Sequence, residues 1–111
     1  MGSGTNSVAA ATAVVGYDLA SGTVWQTAGN LRGLTGFAIK GSAAAVDTKV
    51  DVFIGMTKVG EAYNTGTGFP NNDDLIVFAD LAIPPGEPIH VYVTDAPATN
   101  PININVTWND Y

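Results

Sequence analysis

Apolar and polar residues alternate with a period of two in several stretches of this sequence. The clearest case is residues 102–108, where Ile102, Ile104, Val106 and Trp108 are separated by Asn103, Asn105 and Thr107. Because successive side chains of a β-strand point to opposite faces of a sheet, this period predicts strands. About eight strands are predicted in this way. They fall at residues 7–15, 23–27, 34–40, 48–56, 59–64, 75–81, 89–94 and 102–108.

The turns between these runs indicate the fold class. Pro84, Pro85 and Gly86 separate two of the runs; the prolines remove two backbone donors and the glycine is free to adopt a positive φ, so no strand continues through them. Many short strands without an amphipathic helix predict an all-β fold, an antiparallel β-sandwich of about eight strands that is jelly-roll-like. A seven-stranded immunoglobulin-like sandwich is the alternative.

The chain is expected to form a single domain over residues 1–111. Residues 1–7 are interpreted as a possible flexible arm. The alanine-rich residues 7–15 have two interpretations: a first strand under a thin part of the core, or an extended arm that adds to a neighbouring subunit.

The charge and composition of the chain limit the kinds of partner that it can bind. The formal net charge is −6 with only four basic residues, and such a surface repels phosphate backbones, so no nucleic-acid partner is expected. The chain contains no cysteine, which excludes disulfides and thiolate metal ligands, and no cofactor is expected. No apolar run reaches the ~18 residues of a membrane span. Charged residues are 13% of the chain and hydrophobic residues 46%, which favours a surface partly covered by partners.

The sequence contains little that indicates catalysis or metal binding. Its single histidine, His90, is interpreted as a solvated or hydrogen-bonded strand residue, and no carboxylate pair has a distinctive spacing, so no catalytic residue is predicted and the chain is expected not to be an enzyme. One run of oxygen donors could hold Ca²⁺. It lacks the spacing of an EF-hand loop, and a turn before a strand explains it more simply. These weak Ca²⁺ candidates are Asn71, Asn72, Asp73 and Asp74.

An uncharged polar face is the candidate contact surface. Asn103, Asn105 and Thr107 share one side of their predicted strand, and His90 and Tyr92 could lie beside them. Subunit contacts tend to be depleted of charge, so this face is interpreted as an interface, although a solvated sheet face is the alternative. Phe53 also belongs to the candidate interface, because it falls on the outward row of residues 48–56 and needs a covering element or a partner.

Residues 74–95, D-L-I-V-F-A-D-L-A-I-P-P-G-E-P-I-H-V-Y-V-T-D, followed by I-N-I-N-V-T-W at residues 102–108, carry a family resemblance. This half of the chain resembles the strand–PPG–strand–strand endings of small single jelly-roll virion proteins, the penton, minor capsid and cement proteins of icosahedral viruses of bacteria and archaea. The resemblance implies a structural role in a virion, with subunits that associate through loops and sheet edges and an N-terminal arm that ties neighbours together. Because the chain has no basic arm to meet a genome, an outer-shell, vertex or decorating position is implied.

The sequence therefore predicts a non-enzymatic structural protein that self-associates, a viral capsid, vertex or decorating protein whose partners are itself and other virion proteins. The alternative is a ligand-binding β-sandwich module at the cell surface or outside the cell, which binds carbohydrate or a cell surface. This alternative needs two or three aromatic residues on one face. Trp25, Tyr63 and Trp108 are the aromatics whose burial tests it.

Overall fold

A computed structural model describes residues 2–70 and 74–111 of the chain and contains seven β-strands in that part. The described residues include no helix that is long and apolar enough to cross a membrane. The strands are β1 (Gly2–Val8), β2 (Arg32–Gly41), β3 (Lys49–Ile54), β4 (Thr57–Tyr63), β5 (Ile76–Ile83), β6 (Ile89–Asp95) and β7 (Ile102–Asp110).

The strands form two antiparallel sheets, with the orders β1-β7-β2-β5 and β4-β3-β6. Their pairing is nested: the first strand pairs with the last, β2 pairs with β5, and β3 and β4 form the innermost hairpin. Residues 16–19 run beside β6, where the amides of Gly16 and Leu19 donate to the carbonyls of Val93 and Val91 at 2.8 Å. They occupy the place of an eighth strand. The predicted jelly-roll-like sandwich is confirmed, with seven full strands instead of about eight.

Two predicted strands differ from the observed ones. Residues 23–27 form turns and bends, in which the carbonyls of Trp25 and Gln26 accept hydrogen bonds from the Arg32 side chain. The carbonyl of Gln26 also accepts from the amide of Ile89 at 2.9 Å. The first strand lies earlier than residues 7–15: β1 pairs with β7 from Gly2 to Val8, and the chain then turns at Ala9, whose carbonyl accepts from the amide of Ala13 at 3.0 Å. The described part of the possible arm, residues 2–7, is thus an edge strand in this structure.

The core lies between the two sheets and follows from the alternation of apolar residues. Ile102, Ile104, Val106 and Trp108 all point inward and are at most 8% exposed, as predicted from the period of two. Phe37 in β2 is 1% exposed and packs in the same cluster. Burial of each side chain of this size stabilises the fold by about 1.5–3 kcal/mol. The core is completed by residues of β3 and β6, namely Val50, Val52, Ile54, Ile89, Val91 and Val93.

A β-bulge in β5 changes which of its residues face the core. Leu81 pairs with Leu34 and Val77 pairs with Gly36, so three residues of β5 oppose one residue of β2. The extra length is taken up at Asp80, which has a φ of 56°. A regular period of two through residues 75–81 would place Leu81 on the same face as Val77. The bulge instead turns Leu81 toward the core and leaves Val77 83% exposed on the outer face.

Candidate assembly and ligand-binding surfaces

The residues of the predicted interface are divided between the two sheets. Asn103, Asn105 and Thr107 lie on the outer face of the four-stranded sheet, in β7. His90, Tyr92 and Phe53 lie on β6 and β3, on the outer face of the three-stranded sheet. Because the sheets pack through their inner faces, the two sets point away from each other. The prediction that the two sets of residues lie side by side is therefore wrong. The pattern of strands along the sequence does not say which strands share a sheet.

The polar row of β7 makes contacts within the chain. The amide of Asn103 donates to the carbonyl of Gly68 at 2.8 Å, and the hydroxyls of Thr107 and Thr35 are 3.0 Å apart. The Oδ1 atom of Asn105 is buried and has no hydrogen-bond partner within the described structure. Part of the predicted contact surface is thus already covered by the segment that follows β4.

The candidate Ca²⁺ ligands are only partly described. Asn71, Asn72 and Asp73 lie outside the described residues. Asp74 forms an ion pair with Lys40, with Nζ and Oδ2 3.4 Å apart. Within residues 2–70 and 74–111, no group of three or more histidine, aspartate or glutamate side chains is placed to hold a metal ion.

Three rings form a cluster on the outer face of the three-stranded sheet. Phe53 meets Tyr92 edge to face, with ring centroids 5.4 Å apart, and His90 stacks on Tyr92 at 5.1 Å. Phe53 and His90 are direct register partners on β3 and β6, and Tyr92 is two residues along from His90, so strand geometry alone brings the rings together. Each residue is half-buried. We call Phe53, His90 and Tyr92 the ring cluster.

Asp18 fixes one edge of the ring cluster. Its Oδ2 atom is 2.7 Å from Nδ1 of His90 and accepts from the Gln26 amide at 2.8 Å. Its Oδ1 atom accepts from the backbone amides of Val91 at 2.9 Å and Ala20 at 3.0 Å. His90 is therefore hydrogen-bonded, as one of its two sequence interpretations held. The sequence missed Asp18 because it lies 72 residues from His90 and carries no signal beyond its place in a turn.

Charged residues beside the ring cluster neutralise one another. Glu61 lies 3.2 Å from the ammonium of Lys49 and 3.1 Å from that of Lys58, and Lys58 also lies 3.4 Å from Asp51. Hydrogen bonds from Lys58 and Lys49 lower the pKa of the Glu61 carboxyl, and its carboxylate raises the pKa of both lysines. Such exposed pairs contribute little to stability, because solvent screens the charges. All three lysines of the chain are thus ion-paired, which leaves the excess negative charge at other positions.

The sandwich has an open side, where β4 and β5 are the edge strands of their sheets. Exposed apolar side chains lie along it: Met56 is 98% exposed, Val77 83% and Ile76 43%. The only charged residue of β5 is Asp80, whose carboxylate accepts hydrogen bonds from Tyr111 and Asn109 near the C-terminus. The first part of β5 therefore presents an apolar edge without charge.

The aromatics named as sugar-stacking candidates do not converge. Trp25 and Trp108 stack on each other with centroids 6.2 Å apart, and Trp108 is only 8% exposed. Tyr63 is 46% exposed, but it lies on β4 with Lys49 5.6 Å from its ring. The aromatic surface in the structure is instead the ring cluster. All three of its members were assigned to the candidate interface from the sequence.

Comparison with known proteins gave no relative: no protein-family model, no curated protein and no solved structure matches this chain.

Proposed function

We propose that this chain is a non-enzymatic structural protein that self-associates, as a capsid, vertex or decorating protein of a virion, with itself and other virion proteins as partners. The observation that carries the proposal is the exposed apolar edge at the start of β5, where Ile76 and Val77 precede the first charged residue of the strand. A strand edge of this kind readily pairs with another chain.

The edge suits a second copy of the same chain. Among the residues that the structure describes, β5 has a neighbouring strand only on the β2 side, so the backbone groups of its other side are available for pairing. Two β5 strands related by a two-fold axis would pair antiparallel and join two four-stranded sheets into one. Such a contact is isologous, because each copy contributes the same surface. The Val77 side chains of the two copies would then pack against each other, and most of the exposed apolar surface of both would be removed from water.

The fold and the charges agree with a shell position. The nested pairing of the strands is that of jelly rolls, an architecture that viral capsid proteins use. The three lysines are ion-paired within the chain and Arg32 is 2% exposed, so little positive charge is left for a nucleic acid. This balance supports a role on the outside of a particle.

Val77→Lys is expected to abolish self-association while leaving the monomer folded. Light scattering of the wild-type chain should give a multiple of the monomer mass of 11.4 kDa, with rings or shells in electron micrographs, and the variant should give 11.4 kDa. A lysine at each copy of position 77 would place like charges together across the two-fold axis. The residue is exposed, so the change should cost less than about 0.5 kcal/mol of stability.

Val24→Lys is the matched control, because Val24 is 98% exposed in a turn away from the edge of β5. It should keep the wild-type mass. A wild-type chain that stays monomeric at millimolar concentration would contradict the proposal. A multimer equally weakened by both variants would contradict the role of the β5 edge.

The ring cluster favours a second candidate function, the binding of carbohydrate. Tyr92 with its two neighbouring rings offers apolar surface, and Asp51 and Lys58 beside it offer partners for sugar hydroxyls. If this function holds, a glycan array should show binding that Tyr92→Ala lowers by about tenfold or more. Tyr63→Ala, which removes an exposed tyrosine outside the cluster, should leave it unchanged. Array binding by a stable monomer would favour this candidate over the first.

A further inference from the structure

A cavity of about 590 Å³ opens on the open side of the sandwich, at the far end of β5 from Ile76 and Val77. It lies between the turn that joins β3 to β4 and the beginning of the connection from β5 to β6. Its volume is within the range of small-molecule sites, about 300–1,000 Å³. Its lining consists of Ile54, Met56, Thr57, Val59, Leu81, Ala82, Pro84 and Glu87.

Most of this lining is aliphatic and continuous with the core. Ile54 belongs to the core at 9% exposure, and Val59 and Leu81 pack against it from β4 and β5. The bulge at Asp80 is what turns Leu81 inward to this position. An apolar body placed here would displace water from side chains that the two sheets leave partly uncovered, which is favourable by about 25 cal/mol per Å².

The charge in the lining of the cavity is negative. Of the described residues that line the cavity, only Glu87 is ionisable, and Thr57 has the only other polar side chain. The Glu87 carboxylate lies against the β3–β4 turn at Gly55, where a Cβ atom would overlap its Oε2 atom. The lysines of the chain form ion pairs with Asp74, Glu61 and Asp51, not with Glu87. A cation from outside would complement this carboxylate.

We propose that the cavity binds a hydrophobic amine, a small molecule with an aliphatic body and a protonated amino group. The body lies between Val59 and Leu81, and the ammonium group donates to the carboxylate of Glu87. A charge-assisted hydrogen bond of this kind is roughly twice as strong as a neutral one, so the charge on the ligand decides its affinity. This site goes beyond the proposed structural role and does not depend on it, because it uses neither Ile76 nor Val77.

Three probes with one ring and different charges test the proposal: cyclohexylmethylamine, cyclohexylmethanol and cyclohexanecarboxylate, each titrated at pH 7 into the full chain and followed by amide NMR shifts. The amine is expected to bind about tenfold or more tightly than the carboxylate, with the alcohol between them. The shifted amides should be those of residues 54–59 and 81–87. In Glu87→Gln the advantage of the amine over the alcohol should disappear. In Asp95→Asn, which removes another exposed carboxylate, it should remain.

Ala82→Phe tests whether the cavity itself is the site. Ala82 is an exposed residue of the lining, so a phenyl ring there should fill the cavity without disturbing the core, and binding of all three probes should be lost. Equal affinity for the amine and the carboxylate, an unchanged preference in Glu87→Gln, or binding that persists in Ala82→Phe would each overturn the proposal. Absence of measurable binding by the amine at millimolar concentration would overturn it as well.

Discussion

Asn64→Leu is expected to lower the free energy of unfolding by about 3–5 kcal/mol, one of the two largest single-residue effects that we predict. The side chain is fully buried just after β4. Its Nδ2 atom donates to the carbonyls of Gly41 at 3.0 Å and Ala44 at 2.7 Å, and its Oδ1 atom accepts from the amide of Thr48 at 2.9 Å. A leucine of similar size fills the space but removes all three of these hydrogen bonds to the backbone. Urea denaturation followed by circular dichroism measures the loss.

Asn64→Asp separates the contribution of the hydrogen bond that the Asn64 side chain accepts from the contribution of those that it donates. The aspartate keeps the bond from Thr48 but loses the donors, and it brings a second carboxylate beside Asp47, whose Oδ1 atom is 3.1 Å from Nδ2 of Asn64. It should therefore be as destabilising as leucine near pH 7. Asn100→Leu is the control, because Asn100 also donates to a carbonyl, that of Ser42 at 3.2 Å, but is exposed. A cost for Asn64→Leu no larger than that of Asn100→Leu would contradict the importance of burial.

This asparagine also supports the outer face of the four-stranded sheet, because it connects three segments near the polar row of β7. It holds the end of β2 and the connection from β2 to β3, and the chain continues from it into Thr65, whose amide donates to Ile39 at 3.2 Å. The carbonyl of Gly68, three residues further, accepts from Asn103. Changes that loosen Asn64 should therefore alter the outer face of the four-stranded sheet as well as stability.

The alternation of apolar residues was enough to predict most of the fold. In β7 and β6 the period of two identified the inward residues, because along both strands one face lies on the core and the other faces outward. β5 shows where this reasoning ends. Its sequence alternates as regularly, but the bulge at Asp80 depends on pairing with β2. The bulge shifts the register of the strand, so that Leu81 faces the core and not the outer face.

The candidate surfaces were less predictable because they depend on contacts between distant residues. The sequence grouped the polar row of β7 with His90 and Tyr92, yet these lie on different sheets, since the nested pairing places β6 and β7 in separate layers. Asp18, the partner of His90, forms a β-bridge with Tyr92, but in the sequence it lies among turn-forming residues and resembles any other loop aspartate. The cavity beside Glu87 requires the open side of the sandwich, which only the strand order creates.

Arg32 provides the second large effect, at the opposite end of β2 from Asn64. In the sequence it is one of four basic residues, which are normally exposed, but it is 2% exposed in the structure. Its guanidinium donates to the carbonyl of Trp25 at 2.6 Å and of Gln26 at 3.3 Å, and lies 5.3 Å from the ring centroid of Trp108. Burial lowers the pKa of the guanidinium, and the charge of Asp110 opposes this shift. The group stays protonated near neutral pH, since a guanidinium is too strong a base for this shift to remove its proton.

Arg32→Ala is expected to cost about 3–4 kcal/mol, because it opens a cavity beneath Trp108 and removes the hydrogen bond to the carbonyl of Trp25. The carbonyl of Gln26 keeps the amide of Ile89 as a partner at 2.9 Å. Arg32→Met restores most of the volume without the buried charge, so it should recover roughly half of the loss. Lys40→Met removes a cation from the ion pair with Asp74 and should cost less than about 1 kcal/mol. The chain contains only two tryptophans, Trp25 and Trp108, and both contact Arg32, so tryptophan emission in urea reports directly on this site.

The two arginine variants decide what keeps residues 25 and 26 from forming the strand that their sequence predicts. If hydrogen bonds to the guanidinium hold these residues in turns, Arg32→Met should shift tryptophan emission to longer wavelength in the folded state, because Trp25 loses its anchor and gains contact with water. If packing alone holds them, Arg32→Met should retain the wild-type spectrum and nearly its stability. We expect the first result, because the carbonyl of Trp25 accepts a 2.6 Å hydrogen bond from the guanidinium. The carbonyl of Gln26 is shared between the guanidinium at 3.3 Å and the amide of Ile89 at 2.9 Å, so Arg32 acts mainly through residue 25.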